Sequence, residues 1–432
     1  MITFYSIVFL GSLIVGIMFG LPIAHSLLFS AVSTSLAIGG SATNPQTVAA
    51  QLMRGTDSVT MMALPFFILV GELMNRGGLT KRIIDFSNLF VGRVKGGLGY
   101  VTILACLMFA SLVGSAVAST AALGAILIPM MVDSGYNKEK AAGLLASANL
   151  VAPIMPPSVP MIVYGVTAGV SIKSLFLGGI APAVYLTLIM SITWFFVSRK
   201  DGIKTEMPPL TLKAVLHSFL DGMSALLLPV IILVGLRSGV FTATEAGVVA
   251  VVYALVIGLF VYREMTMQDI FKAFIAAAKM SAVVMFLAAA AQVAAYTLTI
   301  SRIPQLVTES LHPLIAHPML LNFILQVIII LMGTCVDVTP TILIMTPIML
   351  PLLKAAHIDL VYFGVVFTLA NVLGLTSPPV GPVLNVACAT GNVKMDKLIP
   401  KVLPYYIPQV ILVFLLIFIP QLITVPLGWI NG

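Results

Sequence analysis

Apolar stretches long enough to cross a bilayer recur along the whole chain, with polar positions confined to the joints between them. A helical span needs about 20 apolar residues; residues 4–20 and 22–39 supply two, joined at Gly20-Leu21-Pro22. A polar loop, Gly39 to Ser58, leads to a span over 59–75, and 79–95 is a mixed, basic, amphipathic stretch suited to the membrane interface. Residues 98–113 and 116–132 are each near the minimum for crossing and meet at Gly114-Ser115-Ala116-Val117-Ala118-Ser119-Thr120. Two short helices with a small, hydroxyl-rich junction predict a re-entrant hairpin, 98–132, whose tip stops mid-membrane. Residues 141–169 are apolar enough to cross, yet contain Pro153, Pro156, Pro157 and Pro160. Each proline lacks a backbone donor and clashes with the preceding turn. A helix broken in this way is tolerated in hydrocarbon only where protein buries it or a wet cavity meets it. A span over 174–198 ends at Arg199-Lys200.

The pattern then recurs. After the loop 199–213, taken as the seam between halves, come spans near 222–236 and 243–262, a basic connector from Arg263 to Lys279, and a span near 280–300. An amphipathic piece, 303–316, leads to a second hairpin, 318–353, turning at Gly333-Thr334-Cys335-Val336-Asp337-Val338-Thr339-Pro340. A second broken span occupies 360–390, and a final span covers 402–425. The motif Asn-x6-Pro-Pro-x2-Pro runs from Asn149 to Pro160 and returns 222 residues later from Asn371 to Pro382, while the hairpin tips are offset by 219. The expected fold is an all-α polytopic membrane protein: one membrane domain, 1–432, built from two repeats, 1–200 and 201–432, each with a re-entrant hairpin and a broken helix.

Composition agrees. The chain is 60% hydrophobic and 9% charged, with mean hydropathy +1.12, against about 25% charged residues in a soluble domain. The net charge of +7 reports orientation in a membrane rather than a nucleic-acid partner. With the N-terminus outside and each hairpin returning to its own side, 17 of the 22 Lys and Arg fall inside; Arg54, Lys173, Arg237, Arg302 and Lys354 stay outside. That bias places both termini outside and has the hairpins enter from opposite faces, so the repeats are inverted, as in many secondary transporters. No Lys or Arg precedes the first apolar stretch, which reads as a retained span rather than a cleaved signal.

Candidate chemistry is sparse. Cys106, Cys335 and Cys388 have unrelated spacings, and His25, His217, His312, His317 and His357 lack zinc-like spacing. There is no phosphate-binding Gly-x4-Gly-Lys-Ser/Thr loop, no Gly-x-Ser-x-Gly and no His-Glu-x-x-His, so neither an ATP-driven pump nor an enzyme is supported. Ion and solute binding remain. Na⁺, a hard cation, favours oxygen ligands. Broken helices offer carbonyls, and Ser115, Ser119, Thr334, Thr339 and Thr376 offer hydroxyls; the alternative is that small hydroxyl residues simply permit close helix packing. Asp337, an acid inside an apolar hairpin, reads as functional by default, or else caps a helix N-terminus in a wet vestibule. Glu72, near an inner helix end, reads as structural.

Four segments together resemble the large membrane subunit of the tripartite ATP-independent periplasmic (TRAP) transporters: Leu64-Pro-Phe-Phe-Ile-Leu-Val-Gly-Glu-Leu-Met-Asn-Arg-Gly-Gly78, Gly114 to Thr120, Ile154-Met-Pro-Pro-Ser158 and Gly239-Val-Phe-Thr-Ala-Thr-Glu-Ala246. The likeness covers nearly the whole chain. It implies import of an organic acid, of sialic acid or C4-dicarboxylate class, driven by a Na⁺ gradient across a bacterial inner membrane. It also implies an elevator mechanism, in which a hairpin-bearing transport domain slides against a scaffold made partly by a small four-helix membrane subunit. A periplasmic binding protein would deliver the substrate. Because the chain begins directly with its first span, the small subunit is expected as a separate polypeptide, and sialic-acid-type members look nearest. Many relatives are Gly-rich before the Pro-Pro; here Asn149-Leu-Val-Ala-Pro-Ile-Met stands there, which weakens carbonyl ligation at Ala152 and Ile154 relative to side chains.

At least two Na⁺ ions are expected. One would sit between Ser115, Ser119 and Asn149 and the break at Ala152, Ile154 and Pro157. The other would lie between Gly333, Thr334, Asp337 and Thr339 and the break at Gly374 and Thr376. No Lys or Arg is placed mid-membrane, so the substrate carboxylate is expected at the half-helix N-termini near Pro157 and Pro379, with hydroxyls from Ser119, Thr120 and Ser158. The rival readings are a passive channel on the same repeat and a stand-alone dicarboxylate/sodium carrier.

Overall fold

The computed structural model describes residues 2–39, 44–199, 212–310, 312–378 and 380–431. Helices α1 (Ile2–Met18) and α2 (Ile23–Ile38) form an antiparallel pair across the Gly20-Leu21-Pro22 joint. Then come α3 (Pro45–Thr56), α4 (Ala63–Arg76) and α5 (Leu79–Val91). The first hairpin is α6 (Gly97–Val113) and α7 (Ala116–Asp133). Helix α8 (Lys138–Ala148) passes through a 3-10 turn, Asn149–Val151, into the break at 152–158; α9 (Val159–Ala168) resumes and α10 (Ile172–Ser198) follows. The second half runs α11 (Leu212–Ser238), α12 (Ala243–Val256) with a π turn at Ile257–Val261, α13 (Met267–Ile300), α14 (Ile303–Ser310) and α15 (His312–Ile315). The second hairpin, α16 (Pro318–Gly333) and α17 (Val338–Ala355), is followed by α18 (Leu360–Gly374), a break at 375–381, α19 (Pro382–Gly391), α20 (Met395–Phe418) and α21 (Gln421–Asn431).

In the stretches expected to form the hairpins and broken helices, the helices have matching lengths: arms of 17 and 18 residues against 16 and 18, and ten-residue helices after each break. Three expectations need correction. The polar loop after Gly39 contains α3, which starts where Asn44 accepts the Gln46 N–H at 2.9 Å and Pro45 fills the first turn. The basic connector before 280 is already helix: Thr266 and Asp269 form a capping box that starts α13 at Met267, so connector and span fuse into 34 residues. At 1.5 Å per residue that helix is about 50 Å long, well beyond the hydrocarbon core. The final span begins at Met395, ends at Phe418 and is followed by the separate α21. The expected seam falls mostly in 200–211, outside the described residues.

The helices sort into two bundles. Helix α1 packs on α2 and α14, α2 to α4 pack on α13, α4 also packs on α12, and α11 lies against α5 and α12. The hairpins, the broken helices, α10, α20 and α21 form the other bundle, where partners are exchanged between halves: α7 packs on α19, and α17 on α9. Contacts between the bundles run from α4 to α6 and α9, from α13 and α14 to α17, from α5 to α6, and from α11 to α6 and α10. Six described helices are long and apolar enough to cross a membrane: α7, α10, α12 with its π turn, α13, α17 and α20. Apolar side chains cover the surface as well as filling the core, and polar side chains are buried among them. Phe4, Ile7, Leu10, Phe196 and Phe260 are exposed, whereas Ser30, Thr102, Ser147, Gln326 and Asn371 are buried, as suits a chain whose outer solvent is lipid.

Candidate ion and substrate site

Each hairpin tip is seated on the broken helix of its own half through glycine. Gly114 ends α6 at φ +63°, and a Cβ there would stand 3.2 Å from the Pro157 carbonyl oxygen and 3.3 Å from the Val159 nitrogen. In the second half a Cβ on Gly333 would lie 2.3 Å from the Asn371 carbonyl oxygen, and one on Gly374 would lie 2.4 Å from that of Ile330. The absence of side chains there lets α16 and α18 touch backbone to backbone. Beyond each turn the next helix is capped: Ser115 Oγ accepts the Ala118 N–H at 3.4 Å, and Asp337 Oδ1 accepts the Val338 N–H at 2.8 Å.

The first break is partly self-satisfied. The Ala152 N–H donates to the Asn149 carbonyl at 3.0 Å and the Ile154 N–H to that of Val151 at 3.1 Å. Ser158 Oγ donates to the Pro153 carbonyl at 2.5 Å and accepts the Met161 N–H at 3.3 Å, capping α9. The Ile154 carbonyl packs against Gly179 of α10, 2.4 Å from where a Cβ would stand. In the second break Thr376, fully buried, donates its hydroxyl to the Leu373 carbonyl at 3.1 Å.

Two side chains are left without partners at equivalent places. Asn149 and Asn371 are fully buried, and neither the amide oxygen nor the NH2 of either one is hydrogen-bonded. The turn carrying Asn149 packs on α6 and α7; α18, carrying Asn371, packs on α16 and α17. Ser119 Oγ is likewise buried and unpartnered. An unsatisfied buried polar group costs about 1–3 kcal/mol; the amide oxygens of these two suit a hard cation and their NH2 groups an acceptor.

A cavity of about 250 Å³ separates the bundles. Ile68, Glu72 and Asn75 of α4 and Met280 and Leu287 of α13 form one wall; Ser115, Asp337 and Thr339 from the two hairpins, with Pro153 and Pro160 of the first broken helix, form the other. The structure therefore brings both tips to one space. Asp337 caps α17 and also lines the cavity. Ser119, Thr120, Ser158, Thr334 and Thr376 do not line it. The hydroxyls of Thr120 and Thr334 donate to the Ala116 and Leu331 carbonyls, each at 2.7 Å. Pro379 lies outside the described residues. Glu72, read from the sequence as structural, and Asn75 belong to the cavity, and Asn371 joins Asn149. The equivalence of Asn371 and Asn149 in the repeated motif was the available signal for Asn371; nothing local marked Glu72, whose place depends on how the bundles meet.

A sequence profile of the family described as "Tripartite ATP-independent periplasmic transporter, DctM component" matches residues 10–422. The chain is 45% identical to the 2,3-diketo-L-gulonate TRAP transporter large permease protein of Escherichia coli K12, over 98% of this chain and 99% of the relative. It is 33% identical to the sialic acid TRAP transporter large permease protein of Vibrio cholerae, over 94% and 95%. The solved structure of the Alcanivorax borkumensis YdaH transporter shares the fold, with TM-score 0.63 at 16% identity, covering 95% of this chain and 99% of that one.

Proposed function

This chain belongs to the tripartite ATP-independent periplasmic transporters as a DctM component, and from that premise we propose that it imports an organic acid by coupling its entry to Na⁺. The observation that carries the coupling is the pair of buried, unpartnered asparagines, Asn149 and Asn371, each beside the hairpin of its own half. One Na⁺ would take oxygens from Asn149, Ser119 and the tip at Ser115; the other from Asn371, Thr339 and the tip around Gly333. The substrate would occupy the cavity between the bundles, and the hairpin-bearing bundle would slide past α4 and α13 to expose that cavity to each side in turn. The cargoes named for the two relatives, 2,3-diketo-L-gulonate and sialic acid, are both carboxylates, in keeping with an organic acid here.

The proposed setting is a bacterial inner membrane, with both termini periplasmic and the halves inverted. A periplasmic binding protein would deliver the substrate, and a small membrane subunit, on a separate chain, would complete the scaffold. Uptake into proteoliposomes tests this directly. Accumulation should require the Na⁺ gradient, the binding protein and the small subunit together. Accumulation without the binding protein would indicate a stand-alone carrier, and downhill flux without Na⁺ would indicate a passive pore.

A further inference from the structure

The charge of the cavity limits what it can hold. Among the described residues, Glu72 and Asp337 are its ionisable lining residues, and no Lys, Arg or His lines it. The two acids come from opposite bundles, Glu72 from α4 and Asp337 from the second hairpin. An anion in this space must therefore be met by helix N-termini or bound cations. Helix α17 already carries the Asp337 carboxylate on its first turn. Helix α9 is capped by Ser158, and its second residue, Pro160, has no N–H. Helix α7 differs: its cap is the neutral hydroxyl of Ser115, the N–H groups of Ala116 and Val117 have no acceptor within the helix, and Ala116 and Ala118 line the cavity. The cavity thus offers one open position for a carboxylate and two fixed carboxylates elsewhere.

Glu72 is held by Arg76 one turn along, with Nε and one terminal nitrogen of the guanidinium each 3.5 Å from Oε2. Both contacts go to the same oxygen, so Oε1 remains as an acceptor. Arg76 itself is outside the lining. We infer that Glu72 is a specificity-determining residue: it accepts hydrogen bonds from the hydroxyl groups of a monocarboxylic acid and repels the second carboxylate of a dicarboxylic acid. Hydroxyl donors facing a carboxylate form strong, charge-assisted bonds, whereas a second carboxylate beside Glu72 and Asp337 would add like charge in a partly apolar space lined by Phe109, Val284 and Leu287.

This inference rests on the cavity being the organic-acid site, and the test separates the two. Calorimetry on the purified complex with its small subunit, at saturating Na⁺, would compare gluconate with succinate. Wild type should bind gluconate more tightly. Glu72→Gln should weaken gluconate by about tenfold, the loss expected when a hydrogen bond to a charged group is removed, and should strengthen succinate. Glu72→Asp, which keeps the charge, should retain the preference for gluconate, and melting curves would check that each variant is folded. A merely structural Glu72 would shift both acids in the same direction, which overturns the inference, as does a wild type that prefers succinate; in both cases the transport reading stands. Binding of neither acid by wild type overturns the cavity as an organic-acid site and the inference with it.

Discussion

At the scale of the residue, the informative feature is what stays unsatisfied. Most hydroxyls singled out in the apolar sequence are used locally: Thr120 bonds its own helix, Thr376 bonds the end of α18, and Ser158 bridges its own break. Asn149 and Asn371 have no such outlet. This leads to a two-sided expectation. Replacing Asn149 with Leu removes an unsatisfied amide, so in Na⁺-free buffer the variant should melt no lower than wild type, while the rise in melting temperature on adding Na⁺ should shrink. A variant that keeps the full Na⁺ response would show that Asn149 is not a ligand. For Ser115→Ala, loss of a tip oxygen should move the Na⁺ dependence of uptake to higher concentration, and an unchanged curve would place the ion elsewhere.

At the scale of the element, close approach and capping decide stability. A methyl at Gly333 would collide with backbone, 2.3 Å from the Asn371 carbonyl oxygen, and nothing flexible there can yield. Gly333→Ala should therefore lower the melting temperature markedly, whereas Gly11→Ala, with no atom within 4 Å of the added methyl, should leave it unchanged; equal effects would contradict the tip contact. The first turn of α5 is fastened to the turn between α12 and α13. Arg82 pairs with both oxygens of Glu264, at 3.1 and 2.8 Å, and lies over the Tyr262 ring at 3.6 Å. The hydrogen bonds from Arg82, with its charge and that of Lys81, hold the Glu264 carboxyl below its usual range. A carboxyl depressed in the folded state contributes stability above its unfolded pKa of about 4.3 and loses it as pH falls through the folded value. Melting temperature should thus drop on acidification below that range, and Arg82→Gln should flatten the drop; an identical pH profile in the variant would remove this clamp from the account. Glu264 is half exposed, so the effect is a small one.

At the scale of the whole molecule, the cavity lies between two bundles, so its exposure depends on how they sit. If one slides past the other, cysteines placed at Ser115 and Asp337, which line the same cavity, should be labelled together from one side of the membrane, and the labelled side should change when Na⁺ and substrate are added. Labelling of both from one side in every condition would reject the sliding. Coupling between ion and substrate sites is reciprocal. Substrate should therefore bind poorly without Na⁺ and tighten as Na⁺ rises, measured by calorimetry on the purified complex. Equal affinity with and without Na⁺ would detach the asparagine sites from transport.

The helix pairs at the expected hairpins and the breaks were legible along the chain because they are local. Span length follows from apolar run length, a break follows from prolines without N–H groups, and a tip follows from glycine between two short helices. Capping was local too, but its reach was harder to see: Thr266 and Asp269 start α13 at Met267, in a stretch whose lysines suggested a connector. Only the tertiary structure decided which oxygens remain free. Whether a hydroxyl bonds its own turn, as at Thr120, or finds nothing, as at Ser119, depends on packing around it. The cavity wall was equally hidden, since Glu72 and Asp337 are 265 residues apart in sequence and meet only where α4 faces the second hairpin. Sequence periodicity records which face of a helix is apolar; it carries no record of which distant helix that face will meet.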